Sequence, residues 1–180
     1  MGLMLMCWAV LACWSQLSWA AALKPGDVAP DFSTEAALGG KTFRFSLADA
    51  LKKGPVVVYF YPKAFTTGCT IEAHNFAEAI DRYAALGASV VGVSHDSIET
   101  LKKFSVEECR NKFAVAADLD SKIMKAYGAA LWINPNMADR ISYVLGPDAK
   151  VIYVYSSLSP DQHVEKTLKA LSDWKAARRP

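Results

Sequence analysis

Cys69 stands where an apolar run with β-branched residues, Val56-Val57-Val58-Tyr59-Phe60-Tyr61, gives way to a stretch with helical periodicity. The link between them is Pro62-Lys63-Ala64-Phe65-Thr66-Thr67-Gly68. A cysteine in the first turn of a helix meets unpaired backbone N–H groups and the positive end of the helix dipole, and both favour a thiolate. Such surroundings, with nearby cations, can bring a thiol pKa from about 8.5 down to roughly 3.5–7.5. A thiolate attacks electrophiles, so Cys69 is a candidate nucleophile. The plain alternative is a small buried apolar residue, a common fate of free cysteine. It fits poorly with Gly68 and two threonines alongside, and with a position outside the apolar stripe.

The elements around this corner follow from periodicity and punctuation. Lys24 to Phe32 is a proline-punctuated, extended lead-in. Gly39-Gly40 turns between two short extended pieces, with Phe43 and Phe45 alternating in the second. Ser46 to Lys52 reads as a short helix stopped by Gly54-Pro55, and Val56 to Tyr61 as a strand buried on both faces. From Gly68 to Leu86, Ile71, Phe76, Ala79, Ile80, Tyr83 and Leu86 recur at helical steps, and Gly87 supplies the stop.

Ala88 to Ser94 is a second buried strand, and Asp96 with Glu99 has capping-box spacing for a helix through about Cys109. A short strand, Phe113 to Ala117, and a short helix, Ser121 to Tyr127 closed by Gly128, come next. Ile141–Leu145 and Val151–Tyr155 flank the hairpin signal Gly146-Pro147-Asp148-Ala149-Lys150. Ser159 and Gln162, again at capping-box spacing with Pro160 between, open a last helix whose core stripe is Val164, Leu168 and Leu171. This order predicts one α/β domain, a mixed β-sheet with helices on both faces in a thioredoxin-like fold.

Composition narrows the function classes. The chain has 180 residues, 52% hydrophobic and 21% charged, which suits one globular domain with a sizeable core. A net charge of +2 without a Lys/Arg stripe argues against a nucleic-acid partner, and Lys175 to Arg179 reads as a solvated helix end. Met1 to Ala22 carries no charged side chain and reads as an export signal, leaving a domain from Leu23 to Pro180 and a periplasmic location. Ser18-x-Ala20 and Ala20-x-Ala22 offer cleavage sites; an uncleaved anchor, or a lipoprotein site at Leu11-Ala12-Cys13, are the alternatives. Removing the segment takes Cys7 and Cys13 with it and leaves Cys69 and Cys109. Two cysteines in an exported domain suit a disulfide or a redox pair. His74, His95 and His163 match no zinc spacing, so neither metal nor cofactor is expected.

Pro62, Thr66 and Cys69 match the Pro-x-x-x-Thr-x-x-Cys signature of peroxiredoxins, and Tyr59 to Phe76 resembles the peroxiredoxin Q (bacterioferritin comigratory protein) branch. The resemblance continues through Val90-Val91-Gly92-Val93-Ser94, Phe104, Asp118 and Arg140, and covers the chain from about Leu23 onward. It implies a thioredoxin-like fold and a peroxidase, in which the Cys69 thiolate attacks the distal oxygen of a hydroperoxide and becomes a sulfenic acid. It assigns Thr66 a hydroxyl turned towards the sulfur and peroxide, Pro62 a rigid wall against water, and Arg140 a fixed charge beside the thiolate. On its own terms Arg140 would read as a solvated strand-edge residue. Glu72 and Lys63 are further candidates for ion-pair support.

The chain departs from the branch at two positions. His74 stands five residues after Cys69, where a second cysteine is common, and Thr67 stands where proline is frequent. Cys109 resembles an alternative resolving cysteine on the following helix, which would form a disulfide with Cys69. A one-cysteine cycle resolved by an external thiol, or an intermolecular bond, are the other routes. The implied partners are a hydroperoxide and a thioredoxin-like or small-thiol reductant, for a monomer or weak dimer that meets a membrane only through its N-terminal segment. Exposed Trp132 and the Pro135 loop before Arg140 either border the entrance and shape substrate preference or serve as packing or a variable loop. Two other classes remain open. A disulfide oxidoreductase would want a second cysteine where Thr66 stands, and a non-catalytic module would make the Pro/Thr/Cys/Arg set coincidental.

Overall fold

The computed structural model of the protein describes residues 21–178. The N-terminal signal reading, with Cys7 and Cys13, therefore lies outside the described residues. Among them, no helix is long and apolar enough to cross a membrane.

Chain order runs β1 (Ser33–Leu38), β2 (Lys41–Ser46), α1 (Leu47–Leu51), β3 (Val56–Phe60) and α2 (Thr67–Ala85). It continues with β4 (Ser89–Ser94), α3 (Ile98–Glu107), β5 (Ala114–Ala117) and α4 (Lys122–Ala126). The last elements are β6 (Ala130–Leu131), β7 (Asn134–Ala138), β8 (Ile141–Leu145), β9 (Val151–Ser156) and α5 (His163–Ala176). Seven strands form one sheet in the order β2-β1-β5-β4-β3-β8-β9. β3, β4 and β5 run parallel, while β1, β8 and β9 pair antiparallel to their neighbours, so the sheet is mixed.

β3 explains why its sequence is apolar without alternation. All five of its residues are buried. Val57, Tyr59 and the following Tyr61 point into a core shared with Phe76, Ala79 and Tyr83 of α2, Leu101 and Phe104 of α3, and Leu168 and Leu171 of α5. Val56, Val58 and Phe60 point the other way, onto Leu47, Leu51, Met124 and Tyr127. Each side chain sits in a helix-covered layer, so neither face of the strand has a place for a polar residue. An aromatic stack runs through the first core: Tyr59 lies 4.4 Å from Phe76 between centroids, and Tyr61 lies 5.6 Å from Phe104. Burial of each such ring contributes on the order of 1.5–3 kcal/mol.

Local signals set the ends of most elements, and the structure corrects four of the expectations. α2 stops where Gly87 takes φ +75°, a left-handed conformation that glycine adopts without steric cost. α3 is capped by Ser97, whose hydroxyl accepts from Thr100 N–H at 3.3 Å, and not by Asp96. It ends at Glu107, so Cys109 lies in the turn beyond it. There the N–H groups of Glu108 and Cys109 both reach Phe104 O, and Arg110 and Asn111 adopt positive φ. The last helix starts at His163, later than its Ser159/Gln162 spacing suggests, because the Ser159 hydroxyl donates to Asp161 Oδ2 instead. The Pro135 segment is β7 of a two-stranded hairpin with β6, not a plain loop.

Candidate active site

The corner between β3 and α2 is held from both sides. Asp96 accepts from Ala64 N–H at 2.8 Å and from the Ser94 hydroxyl at 2.8 Å, tying the loop to the end of β4. Phe65 takes φ +62° and sets its ring edge-on against Phe104 at 5.2 Å. Thr66 then begins α2 as its N-cap in an extended conformation, with no side-chain capping bond. The first helical bond is Thr70 N–H to Thr66 O. The N–H groups before it are thus uncapped by Thr66 and available at the helix start.

Cys69 is the third residue of that helix and is 1% exposed. Arg140, just before β8, brings Nη2 to 3.5 Å from its sulfur. The guanidinium is fixed by three further contacts: Nε donates to Leu158 O at 3.0 Å, and Nη1 to Gly68 O at 3.4 Å and to Glu72 Oε2. A planar fork used in this way presents its charge in one orientation only. A glycine at 68 makes room for it, since a Cβ there would lie 2.9 Å from Nη2. The β6–β7 hairpin delivers Arg140 to this place, with Asp139 N–H on Ala129 O at 2.7 Å and Ser157 N–H on Arg140 O at 3.2 Å. Arg140 is 5% exposed, so the solvated reading of it is wrong; Leu158 O, Gly68 O and Glu72 take its buried N–H groups.

Glu72 is 0% exposed. Burial pushes its carboxyl up to about 8, against the opposing pull of Arg140. Behind it, His163 of α5 is also 0% exposed, with Nδ1 2.8 Å from Ser142 Oγ and Nε2 2.9 Å from Ser157 O. Sequence reasoning gave Glu72 little weight because charged residues in an amphipathic helix usually face water. Its spacing from Cys69 was the available signal: residues three apart share a helix face. His163 and Ser142 gave no such signal.

The other expected residues divide. Pro62 is half-buried in the β3–α2 loop. The Thr66 hydroxyl does not turn to the sulfur; it donates to Lys63 O at 3.0 Å. Lys63 is exposed and joins no ion pair among the described residues, and Trp132, 80% exposed, lies at the tip of the β6–β7 hairpin. His74 pairs with Glu108 at 2.7 Å, linking α2 to the turn before Cys109. Cys69 and Cys109 are both free. Cys109 is 0% exposed, and burial, with the neighbouring Glu108 charge, pushes its thiol well above the ordinary range. It rests as a protonated thiol packed in the aromatic core.

A thiol beside a guanidinium, at the strand-to-helix corner of a thioredoxin-like sheet, defines a thiol redox protein. Comparison with known proteins narrows the class. Residues 25–154 match the AhpC/TSA family model, and the chain belongs to that family. It is 33% identical over 149 residues to the chloroplastic peroxiredoxin Q of Triticum aestivum, covering 82% of this chain and 66% of that protein. To peroxiredoxin Bcp of Escherichia coli K12 it is 31% identical over 158 residues, covering 84% of this chain and 97% of that protein. The crystal structure of peroxidoxin BcpB from Mycobacterium tuberculosis matches with a TM-score of 0.76 at 32% identity, covering 88% of this chain and 99% of that one.

Proposed function

We propose that the protein is a thiol-dependent peroxidase that reduces hydrogen peroxide and organic hydroperoxides at Cys69. The observation that carries this reading is the 3.5 Å approach of Arg140 Nη2 to Cys69 Sγ at an uncapped helix start. The Cys69 thiolate attacks the distal oxygen of ROOH: an S–O bond forms, the O–O bond breaks, and sulfenic acid and RO⁻ result. The alkoxide or hydroxide then takes a proton and leaves as ROH or water. Negative charge moves from sulfur to the leaving oxygen, and Arg140 with the free N–H groups favours it throughout. Because the Thr66 hydroxyl spends its proton on Lys63 O, its lone pairs are left to accept from the O–H of the incoming hydroperoxide. Pro62, with no N–H to solvate, walls the entrance.

The sulfenic acid is resolved by Cys109, giving a Cys69–Cys109 disulfide and water, and a thioredoxin-like or small-thiol donor then reduces that disulfide. A disulfide needs Cα atoms roughly 4.4–6.8 Å apart, and Cys109 is buried and protonated, so the turn carrying it must open first. That burial favours a second reading, a one-cysteine cycle in which an external thiol meets the sulfenic acid directly. The reading includes export of the chain behind an N-terminal signal, tested by N-terminal sequencing of the mature protein. Peroxide consumption with a thiol donor tests the function: Cys69→Ser is expected to abolish it, and turnover at the wild-type rate by that variant overturns the mechanism.

A further inference from the structure

Glu72 Oε2 receives Arg140 Nη1, but Glu72 Oε1 is buried with no hydrogen-bond partner. Its neighbour is His163 Nδ1, 3.5 Å away. The ring of His163 is constrained, because Nε2 faces the carbonyl of Ser157 at 2.9 Å and a carbonyl only accepts. Nε2 therefore carries hydrogen. In a neutral ring Nδ1 is then an acceptor with one lone pair, which takes either the rotatable Ser142 hydroxyl hydrogen at 2.8 Å or a proton on Glu72. An ionised Glu72 would turn a second set of lone pairs onto it, in an interior where unpaired polar groups are costly. One added proton between Oε1 and Nδ1 removes the conflict.

The charges around this pair point the same way. Glu72 and Cys69, both on α2, share the single positive charge of Arg140. With both acids ionised the cluster is net negative; with a proton on Glu72 and a thiolate at Cys69 it is neutral. Tyr59 of β3 and Tyr83 of α2 also feel the Glu72 charge, and Asp139 faces His163; none of these supplies a cation.

We propose that Glu72 and His163 hold one exchangeable proton behind Arg140, and that its presence or loss sets how much of the guanidinium charge reaches Cys69. The two are positioning residues: neither touches the sulfur, and both act through Arg140. With the proton in place the carboxyl is neutral, and Arg140 serves the thiolate and the leaving oxygen. When the proton leaves to solvent, the Glu72 anion draws the guanidinium to itself and oxidation of Cys69 slows. Burial raises the Glu72 ionisation to about 8 and lowers that of His163, which places the loss on the alkaline side of neutrality.

The inference rests on the peroxidase reading, and two measurements separate them. The first is the rate of Cys69 oxidation by hydrogen peroxide across pH for wild type, Glu72→Gln and His163→Gln. Glutamine at 72 keeps an acceptor for Arg140 and presents an N–H to His163, a fixed imitation of the protonated acid. Wild type is expected to lose rate above about pH 8, Glu72→Gln to show no alkaline decline, and His163→Gln to decline at least about half a unit lower, having lost the acceptor for the acid proton. A packing role would instead slow all pH values alike, and parallel profiles in the three proteins overturn the proposal. The second measurement is the ¹⁵N titration of the three histidine rings in wild type, which needs no peroxide and no variant. His163 is expected to keep hydrogen on Nε2, with an Nδ1 signal that moves through the same alkaline step; a flat Nδ1 signal overturns the proposal. A wild-type protein inert to peroxide counts instead against the peroxidase reading.

Discussion

Gly68→Ala separates activity from stability, and its effect follows from one contact. The new Cβ would lie 2.9 Å from Arg140 Nη2 and 3.7 Å from Cζ. Ordinary contact requires a retreat of about 0.5 Å, and the guanidinium cannot swing freely because Leu158 O, Gly68 O and Glu72 hold it. Moving Nη2 from 3.5 Å to about 4.0 Å from the sulfur weakens a unit-charge attraction by about 0.6 kcal/mol at an effective dielectric of about 20. The directed hydrogen bond is lost as well, for roughly another 1 kcal/mol. The sum predicts oxidation of Cys69 about tenfold slower, near 1.5 kcal/mol of barrier. The backbone at residue 68 lies inside α2, where alanine replaces glycine with a gain of up to about 1 kcal/mol. The variant should therefore be slower and no less stable. Stopped-flow oxidation by hydrogen peroxide reads the first quantity and urea denaturation the second. Wild-type oxidation kinetics in a folded Gly68→Ala protein would refute the argument that Arg140 acts through its distance to Cys69.

Three further outcomes are expected. Arg140→Ala removes the charge outright and should slow peroxide reduction by about 2–4 kcal/mol of barrier, read as a loss of kcat/KM; a change within threefold contradicts the role assigned to it. After one equivalent of peroxide, non-reducing mass analysis should show a monomer lighter by two hydrogens, and Cys109→Ala should retain a trappable sulfenic acid. A wild-type sulfenic adduct as long-lived as that of Cys109→Ala favours the external-thiol cycle. Relative to Glu72→Gln, the wild type should lose stability with rising pH between 6.5 and about 8. There the folded chain keeps the Glu72 proton that the unfolded chain, ionising near 4.5, has already lost, while His163 is neutral in both states above 6.5. The difference in slope between the two proteins should approach about 1.4 kcal/mol per unit, measured by urea midpoints, because every other titrating group acts alike in both.

The parts of the fold that came directly from the sequence are those in which one physical demand dominates. β3 is apolar throughout because two cores claim it, and Cys69 sits at the α2 start because Thr66 to Gly68 cannot extend the strand's pattern. Where two groups compete for one partner, spacing misleads. Asp96 and Glu99 fit a capping box, yet Asp96 is taken by Ala64 N–H and Ser94, and Ser97 caps α3 in its place. The β6–β7 hairpin is short and polar, with Pro135 inside it, so no alternation marks it. At the site, Cys69 was legible from its type and position and Pro62 and Thr66 from their spacing to it, whereas Arg140 came only with the family resemblance. The direction of the Thr66 hydroxyl was not legible, since a rotamer leaves no trace in spacing. Glu72 was named for ion-pair support and meets Arg140 across 68 residues of chain, whereas His163 was the deeper omission, held by Ser142 and Ser157 from other elements.

Phe65 carries a large side chain at φ +62°, an arrangement that costs on the order of 1–3 kcal/mol and persists only where neighbours impose it. Its ring is kept there by Phe104, whose carbonyl also anchors the N–H of Cys109. One residue thus fastens both segments, its ring the loop ahead of Cys69 and its backbone carbonyl the turn that carries Cys109. A shift of Phe104 as a whole would release the torsion at Phe65 and the bond to Cys109 N–H in one step. The reduced chain is accordingly a cocked catch, with the torsion at Phe65 held in store by the seat of a single ring.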